Sequence, residues 1–360
     1  MFLFSWMDDI RGAKGRGAVS NSAGRYEAYR AEPVDDGWYQ DDVPPLKTNV
    51  SIERPRSVIT RNASPDLSFD RSINPYRGCE HGCVYCFARP SHAWLGLSPG
   101  LDFETELVAR PEAPQVLERE LARKTYRPDV IAIGTNTDPY QPIEKEYRIM
   151  RGILEVLEAH QHPVTVTTKG TLIERDIDIL ARMAERGLAR VGFSVTTLDP
   201  AVSRAMEPRV PNPARRLETI RRLTGAGIPV RVMVSPVIPA LTDHEMEAIM
   251  SAAADAGADS ASWVMLRLPL EVSPIFRAWV TQAFPDRAGR IMGRVRELHG
   301  GKDYVADWGR RMRGEGPFAD LMAHRFKVAQ RRLGLAEHTP ALRRDLFKVP
   351  PRAGDQLSLF

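Results

Sequence analysis

Three cysteines, Cys79, Cys83 and Cys86, lie within eight residues of one another, and the rest of the chain contains none. An odd, clustered set of thiols argues against a disulfide framework and favours a reducing compartment, in which thiolates act as metal ligands or nucleophiles. Gly78 and Gly82 give this part of the backbone the freedom to follow a tight path. We therefore expect a cytoplasmic protein whose chemistry centres on this loop.

Three kinds of site fit this spacing of thiols. A structural zinc ion takes four ligands, so His81 or His92 would have to supply the fourth. A redox dithiol would use Cys83 and Cys86 and would leave Cys79 without a role. An iron–sulfur cluster ordinarily takes four thiolates, so three would leave one iron with an open coordination position. In a structural centre an iron without a protein ligand would be a defect, whereas a catalytic centre needs an open coordination position.

Length and composition indicate a folded chain with a substantial core. The 360 residues are 43% hydrophobic and 27% charged, which excludes disorder throughout. The opening apolar run MFLFSW is too short for a signal peptide, and no segment approaches the roughly 20 apolar residues that span a bilayer. Residues 302–360 carry twelve Lys and Arg against seven Asp and Glu, an excess of +5 in a chain whose net charge is +4. This local excess is compatible with a polyanionic partner and equally with a solvated surface.

From about residue 129 the sequence alternates short β-branched runs with amphipathic stretches. Residues 171–187 and 213–227 have helical periodicity, and Thr242 with Glu245 forms a capping-box pattern before a third helix. Repeated βα units of this kind predict an α/β fold with parallel strands, in a barrel or an open doubly wound sheet. The predicted strands are 129–135, 163–169, 189–195, 229–235 and 260–266.

Polar residues stand where four of these predicted strands end. Active sites of barrels and doubly wound sheets lie at the carboxyl ends of the strands. One such residue alone is better explained as a helix cap or turn former, but four such loops in one chain indicate a site. The residues are Thr135, Asn136 and Asp138 after the first strand, Lys169 at the end of the second, Ser194 on the third and Ser235 on the fourth.

Several stretches together resemble the radical S-adenosylmethionine (SAM) superfamily. The spacing C-x3-C-x2-C, with Tyr85 just before the last cysteine, is similar to the signature of that family. The resemblance extends to its spore photoproduct lyase-like branch, covers about residues 70–300 and implies a partial TIM-type (β/α) barrel as the core. The stretches that carry it are SINPYRGCEHGCVYCFARP, GTNTDPYQPIE, TKG, EPRVPNPARRLETIRRLTGAGIPV and SPVIPALTD.

The resemblance also implies a set of cofactor ligands. The three cysteines would bind a 4Fe–4S cluster, and SAM would chelate the fourth iron. Lys169 and Ser194 match a lysine and a serine that contact SAM in that branch, and residues 135–138 match the segment that binds its amino group, although the common Gly-Gly-Glu form is absent. By this resemblance the SAM-binding candidates are Tyr85, Thr135, Asn136, Asp138, Lys169, Ser194 and Ser235.

The activity implied is reductive cleavage of SAM with an electron from an external donor, followed by hydrogen abstraction from a substrate. The branch points to nucleic acid as the substrate, in a lyase-type reaction on damaged or modified DNA, and Arg231 and Arg267 are candidates to hold an anionic substrate. Spore photoproduct lyases use a further cysteine as hydrogen donor, which this chain lacks. Tyr140 could replace it, but an ordinary packing or hydrogen-bonding role explains that residue better. Two alternatives stay open: a radical SAM enzyme acting on a small molecule or peptide, and a non-catalytic metal-binding module that binds nucleic acid.

The chain divides into four parts by composition. A mostly irregular or loosely attached N-terminal arm is expected at 1–50, a radical SAM core at 51–300, a helical basic extension at 301–350 and a flexible tail at 351–360. The tail ends in QLSLF, which resembles the motif by which bacterial repair and replication proteins bind the sliding clamp. The clamp-binding candidates are Gln356, Leu357, Leu359 and Phe360.

Overall fold

The structure, a computed structural model, describes residues 15–27 and 46–350. Its main sheet has seven strands in the order β10-β9-β8-β7-β6-β3-β2, all parallel except for the antiparallel pair of β2 with β3. The strands are β2 (Thr60–Arg61), β3 (Arg71–Ile73), β6 (Ile131–Ile133), β7 (Val164–Thr168), β8 (Ala189–Ser194), β9 (Val230–Val237) and β10 (Ser260–Met265). A second sheet joins β1 (Asn49–Ile52), β5 (Glu106–Ala109) and β4 (Tyr76–Arg77).

The five predicted parallel strands are confirmed as β6 to β10. Along β7, β8 and most of β9, buried residues alternate with partly exposed ones, so that one face packs under the helices and the other faces the inside of the curved sheet. The architecture is the α/β fold with parallel strands that the sequence predicts. The sheet is open in the described residues, because β2 and β10 lie at its two edges and do not pair with each other.

Eleven α-helices connect and cover these strands in the described part of the chain. The short ones are α1 (Asp102–Thr105), α3 (Glu144–Tyr147) and α6 (Pro200–Met206). The longer ones are α2 (Ala113–Leu121), α4 (Ile149–Ala159), α5 (Ile177–Glu185), α7 (Pro213–Gly225), α8 (Met246–Asp255), α9 (Val272–Ala283), α10 (Pro285–Leu298) and α11 (Pro317–Arg332). None of the helices in the described ranges is both long and apolar enough to cross a membrane.

The helix predictions are right in position and wrong in one detail of capping. Helices α5 and α7 occupy the predicted segments, and Gly187 has the left-handed backbone expected just after α5. The capping box of Thr242 and Glu245 does not form. Thr242 Oγ1 instead accepts a hydrogen bond from the Ile238 amide at 3.0 Å, and Glu245 accepts one from Thr197 Oγ1 at 2.6 Å. The Glu245 carboxylate is therefore bound by Thr197, a distant residue in the sequence, and not by the nearby Thr242.

Residues 307–313, here called the seam segment, join the two edges of the open sheet. The amide of Met265, at the end of β10, donates to the carbonyl of Met312 at 2.9 Å. On the other side, Arg311 Nε donates to Asp66 Oδ2 at 2.6 Å, and Asp66 follows the edge strand β2. The extension at 301–350 therefore contains one helix, α11, and also an irregular segment that bridges the gap between the first and last strands.

Residues 335–348, here called the floor segment, cross the amino ends of the strands. Successive main-chain hydrogen bonds tie this segment to the residues that precede β10, β8 and β7: Ala336 N to Asp259 O, Arg343 N to Gly187 O, and Lys348 N to His160 O. Arg231 belongs to this contact and not to a substrate site at the carboxyl ends. Its guanidinium donates to Thr339 Oγ1 at 3.1 Å, because Arg231 lies near the amino end of β9.

The part of the N-terminal arm that the structure describes is irregular, and specific contacts bind it to the core. Residues 15–27 contain no helix or strand, in agreement with the composition. Their contacts are nevertheless specific: the amides of Gly17 and Ala18 each donate to the Glu104 carboxylate at 2.8 Å. The backbone groups that an irregular segment leaves unpaired are thus satisfied by a buried side chain of the core.

We predict that the free energy of unfolding depends on pH through His162, which packs against the floor segment. Burial lowers the pKa of this imidazole from 6.5 to about 4, and its ring is packed edge-on against Phe347. A lowered pKa means that the unfolded chain takes up the proton first, so the free energy of unfolding falls as the pH drops from about 6.5 to about 4. At 1.36 kcal/mol per pKa unit the loss is on the order of 3 kcal/mol.

Urea unfolding of the wild type and of His162→Gln between pH 4 and pH 7 measures this dependence. The variant is expected to lose a large part of the slope, whereas His338→Gln, at an exposed histidine, should keep it. Equal slopes for the wild type and His162→Gln would contradict the assignment.

Candidate functional site

The cysteine loop, residues 78–86, follows β4 and turns back on itself near the carboxyl ends of the parallel strands, here called the mouth. Gly78 and Gly82 have φ angles of +74° and +66°, the left-handed region that the tight path requires. The loop is fixed from several sides: Gln141 bonds the Glu80 amide at 2.9 Å and the Gly78 carbonyl at 3.2 Å. The Val84 amide donates to Met206 O at 3.1 Å.

The three thiols are free and share one environment. Cys79 and Cys83 are buried, and Cys86 packs against the apolar groups that contain each of them. Burial raises the pKa of all three thiols, and for Cys79 the negative charge of Asp138 raises it further. Thiolates in such a place need a bound cation to compensate for their charge, which fits a metal centre.

A polynuclear cluster fits these thiols better than a single zinc ion does. Within residues 15–27 and 46–350, no three Cys, His, Asp or Glu side chains are gathered closely enough to coordinate one metal ion. Each histidine that zinc would need has one ring nitrogen near another group: His81 Nδ1 lies 3.3 Å from Asp138, and His92 Nε2 lies 2.8 Å from the Glu106 carbonyl. His92 Nδ1 is buried and has no partner among the described residues. A cluster makes no such demand, since each thiolate is bound to an iron of its own.

Three residues predicted from strand ends meet in one hydrogen-bond network at the mouth. Lys169 Nζ donates to Ser194 Oγ at 2.7 Å, and Ser194 Oγ donates to the Ser235 carbonyl at 2.9 Å. They converge because β7, β8 and β9 are adjacent and parallel, so their carboxyl ends meet at one edge. The Ser235 hydroxyl is buried and has no partner among the described residues. An unpaired buried hydroxyl beside an ammonium group fits a polar ligand.

Tyr85 joins the same network through Glu207, a residue that the sequence analysis missed. The fully buried Glu207 carboxylate accepts hydrogen bonds from Tyr85 and Arg216 and lies 3.7 Å from Lys169 Nζ. Burial alone would raise the pKa of Glu207, but the charges of Arg216 and Lys169 and the hydrogen bonds hold it below its usual value. Arg216 and Lys169 therefore share the single negative charge of Glu207, so that a positive excess is left at Lys169.

A sequence signal for this pair did exist. Arg216 lies on the buried face of α7 together with Thr219, Ile220 and Leu223. A guanidinium at an apolar position of a helix needs a buried acceptor, and Glu207, nine residues earlier, is the acidic residue that supplies it. The sequence shows the need for a partner, whereas only the structure shows that the same partner reaches Tyr85 and Lys169.

Asp138 positions the residues next to it. Thr135 and Asn136 make no hydrogen bond, among the described residues, to the network of Lys169, Ser194 and Ser235. The Asp138 carboxylate accepts hydrogen bonds from Thr168 Oγ1 at 2.6 Å and from the Lys169 amide at 2.8 Å, so it fixes the end of β7. Burial opposes ionisation of Asp138, but the facing His81 and these donors hold its pKa below the usual value. Asn136 is exposed, and its amide donates to Asn74 Oδ1 at 3.0 Å.

Two further candidates turn out differently. Tyr140 is buried away from the network and donates to Asp176 Oδ2 at 3.1 Å, so the structure does not support it as a hydrogen donor at the mouth. Arg267, just after β10, lies at the mouth: its guanidinium stacks 4.6 Å from the centre of the exposed Phe87 ring, next to Cys86. A cation and an aromatic face thus border the cysteine loop.

An open parallel α/β sheet with clustered thiols and polar strand ends at its mouth defines the architecture of a cofactor-dependent enzyme. The comparisons with known proteins agree: the profile of the Radical SAM superfamily matches residues 73–253, which include the three cysteines and β6 to β9. The chain belongs to the radical SAM superfamily, whose members use a 4Fe–4S cluster and SAM.

Relatives and solved structures extend this finding. An uncharacterised protein of Mycobacterium tuberculosis is 39% identical over 235 residues, which cover 65% of this chain and 68% of the relative. One from Methanocaldococcus jannaschii is 27% identical over 174 residues, 48% of this chain and 62% of that protein. Spore photoproduct lyase complexed with dinucleoside spore photoproduct superposes with a TM-score of 0.54 at 16% identity, covering 79% of each chain. At that identity the similarity establishes the fold.

Proposed function

We propose that this protein binds a 4Fe–4S cluster through Cys79, Cys83 and Cys86 and cleaves SAM reductively at the mouth of the sheet. The observation that carries the proposal is the meeting of Lys169, Ser194 and Ser235 beside the cysteine loop, with Tyr85 in the same network. In this proposal the cluster, when bound, supplies the electron that breaks a carbon–sulfur bond of SAM. An external donor has to supply that electron to the cluster.

The roles of the chain's own residues follow from charge and burial. Lys169, with its positive excess, would hold the carboxylate of SAM, and the hydroxyls of Ser194 and Ser235 would complete the polar contact. Glu207 and Arg216 would keep Lys169 in place. Thr135, Asn136 and Asp138 would border the other side, where Asn74 fixes the backbone of residues 136 and 137.

Anaerobic reconstitution with iron and sulfide tests this function. The protein is expected to take up about four irons per chain, to absorb near 400 nm, and to form 5′-deoxyadenosine from SAM when reduced with dithionite. A protein that binds one metal ion and leaves SAM intact would instead be a non-catalytic metal-binding module.

We infer that the substrate is a nucleic acid, in a repair-type or other base-modifying reaction. The mouth supports this because Arg267 and the exposed Phe87 offer a cation and a stacking surface beside the cysteine loop. The superposed spore photoproduct lyase, which is complexed with dinucleoside spore photoproduct, supports it by fold. The sequence contains no cysteine outside the loop that could return a hydrogen atom to the product radical. The last step of the reaction would therefore differ from that of an enzyme that uses such a thiol.

Duplex DNA binding across a salt series is expected to weaken steeply, because each phosphate contact releases counterions. Arg267→Met should lower the affinity, whereas Arg290→Met, on the helix α10, serves as the control for loss of one positive charge. A flat salt response would favour a small molecule or a peptide as the substrate.

The sliding clamp of bacterial replication is a proposed partner. Its binding candidates, Gln356, Leu357, Leu359 and Phe360, lie outside the described residues, so the proposal is supported by the sequence motif alone. Deletion of residues 356–360 should abolish co-elution with the clamp while SAM cleavage is unchanged. Undiminished co-elution would remove this partner.

A further inference from the structure

We propose that residues 15–18 form a latch that, acting through Glu104 and Arg89, holds the cysteine loop in the shape that retains its cluster. This inference rests on the proposed function, since it takes the three cysteines to be the cluster ligands. It assigns a positioning role to two fully buried charged residues and to a short piece of the N-terminal arm.

Arg89 is the point at which the loop is held. Its side chain is fully buried, and Nε and Nη2 donate to the Cys83 carbonyl at 3.1 and 3.0 Å. Nη1 donates to the Gly100 carbonyl at 2.8 Å. Because a guanidinium is planar and rigid, these bonds fix the distance between the cysteine loop and the residues before α1. A lysine could not make the same set of bonds.

Glu104 compensates the charge of Arg89, and the arm completes the compensation. The carboxylate is fully buried and accepts a hydrogen bond from Arg89 Nη2. Its two oxygens also accept the amides of Gly17 and Ala18, one each, at 2.8 Å. A buried ion pair is stable only where its remaining acceptor positions are satisfied, and here two of the donors come from the arm.

The arm also touches the loop directly. A Cβ atom placed on Gly17 would lie 1.8 Å from the Gly82 carbonyl oxygen, so at this point the two backbones are in contact. Arg16 adds a further hydrogen bond, from Nη1 to the main-chain carbonyl of Glu104 at 2.7 Å. The arm, Glu104, Arg89 and the Cys83 carbonyl therefore form one continuous chain of contacts.

The latch is expected to slow the release of the cluster. Cluster release requires the loop to open so that solvent and chelators reach the irons, and each bond in this chain opposes that opening. Loss of the latch should therefore speed iron release from the loaded protein more than it affects the fold of the iron-free protein.

The experiment uses the full-length protein, reconstituted anaerobically, and measures the rate at which a ferrous chelator removes its iron. Gly17→Ala pushes the arm off the loop with one methyl group, and Glu104→Gln removes the buried charge. Both are expected to release iron about tenfold faster or more, the effect of leaving one buried hydrogen-bonding group unpaired. The controls are Gly289→Ala, where a methyl meets open space, and Glu106→Gln, whose carboxylate accepts an exposed hydrogen bond from Asn49.

Two further readouts separate a latch from a general stabiliser of the fold. Iron-free Gly17→Ala should still unfold in one cooperative urea transition, with its stability lowered by no more than one unpaired buried hydrogen-bonding group accounts for, and the electron paramagnetic resonance spectrum of its reduced cluster should be altered. Wild-type release rates for Gly17→Ala would overturn the latch, and this variant decides the matter if Glu104→Gln fails to fold. If the wild type takes up no cluster at all, the proposed function has failed, and the latch fails with it.

Discussion

Replacing Cys83 by alanine is expected to abolish stable cluster binding and, with it, all formation of 5′-deoxyadenosine from SAM. Cys83 is buried and lies at the centre of the loop, between the other two thiols in sequence. With two thiolates left, two of the four irons would lack a protein ligand, and no other cysteine exists to replace the lost one. Iron content, absorbance near 400 nm and product formation measure the effect.

Ser91→Ala is the matched control for this substitution. It also removes a single side-chain heavy atom, a few residues further along the same segment, and its hydroxyl makes no hydrogen bond recorded among the described residues. This variant should keep its iron and its activity. If Cys83→Ala also kept four irons and cleaved SAM, the assignment of the loop as the cluster site would be wrong.

Replacing Lys169 by methionine should weaken SAM binding strongly and leave the iron content unchanged. The ammonium group shares the Glu207 carboxylate with Arg216, so a positive excess is left at Lys169. A hydrogen bond to a charged group contributes about 1.5–3 kcal/mol, so the dissociation constant should rise by roughly 10- to 150-fold. Equilibrium binding of SAM to the reconstituted protein measures this change.

Lys145→Met provides the comparison, since Lys145 is exposed on α3 and forms no ion pair recorded among the described residues. Its affinity for SAM should equal that of the wild type. An unchanged affinity in Lys169→Met would place the SAM carboxylate elsewhere, and an equal loss of iron would show that Lys169 supports the loop and not the ligand.

Much of the fold could be predicted because it depends on local patterns. The β-branched runs that became β6 to β10 alternate with helices of clear periodicity, and parallel strands bring their carboxyl ends together. The meeting of Lys169 with Ser194 follows from that rule alone. The same rule could not exclude Tyr140, because the side of a loop on which a ring is buried depends on tertiary packing, here against Asp176.

The parts that could not be predicted depend on contacts between distant residues. Glu104 and the amides of Gly17 and Ala18 are more than 80 positions apart, and no periodicity links them. The capping box failed for a related reason, since Thr197, 48 positions before Glu245, offered a better partner than the local one. Buried charged residues are the general clue: Arg89, Glu104, Glu207 and Arg216 each require a partner that the sequence does not identify.

The position of the floor segment determines the face of the molecule on which a partner of residues 356–360 would bind. Lys348 bonds at the amino ends of the strands, on the face opposite to Lys169 and Ser194. Gln356 is the sixth residue after Pro350, and six extended residues reach about 20 Å, no more than the length of the strands themselves. If the proposed partner binds residues 356–360, we therefore expect it to hold the protein on the face opposite to the mouth and to leave the mouth accessible.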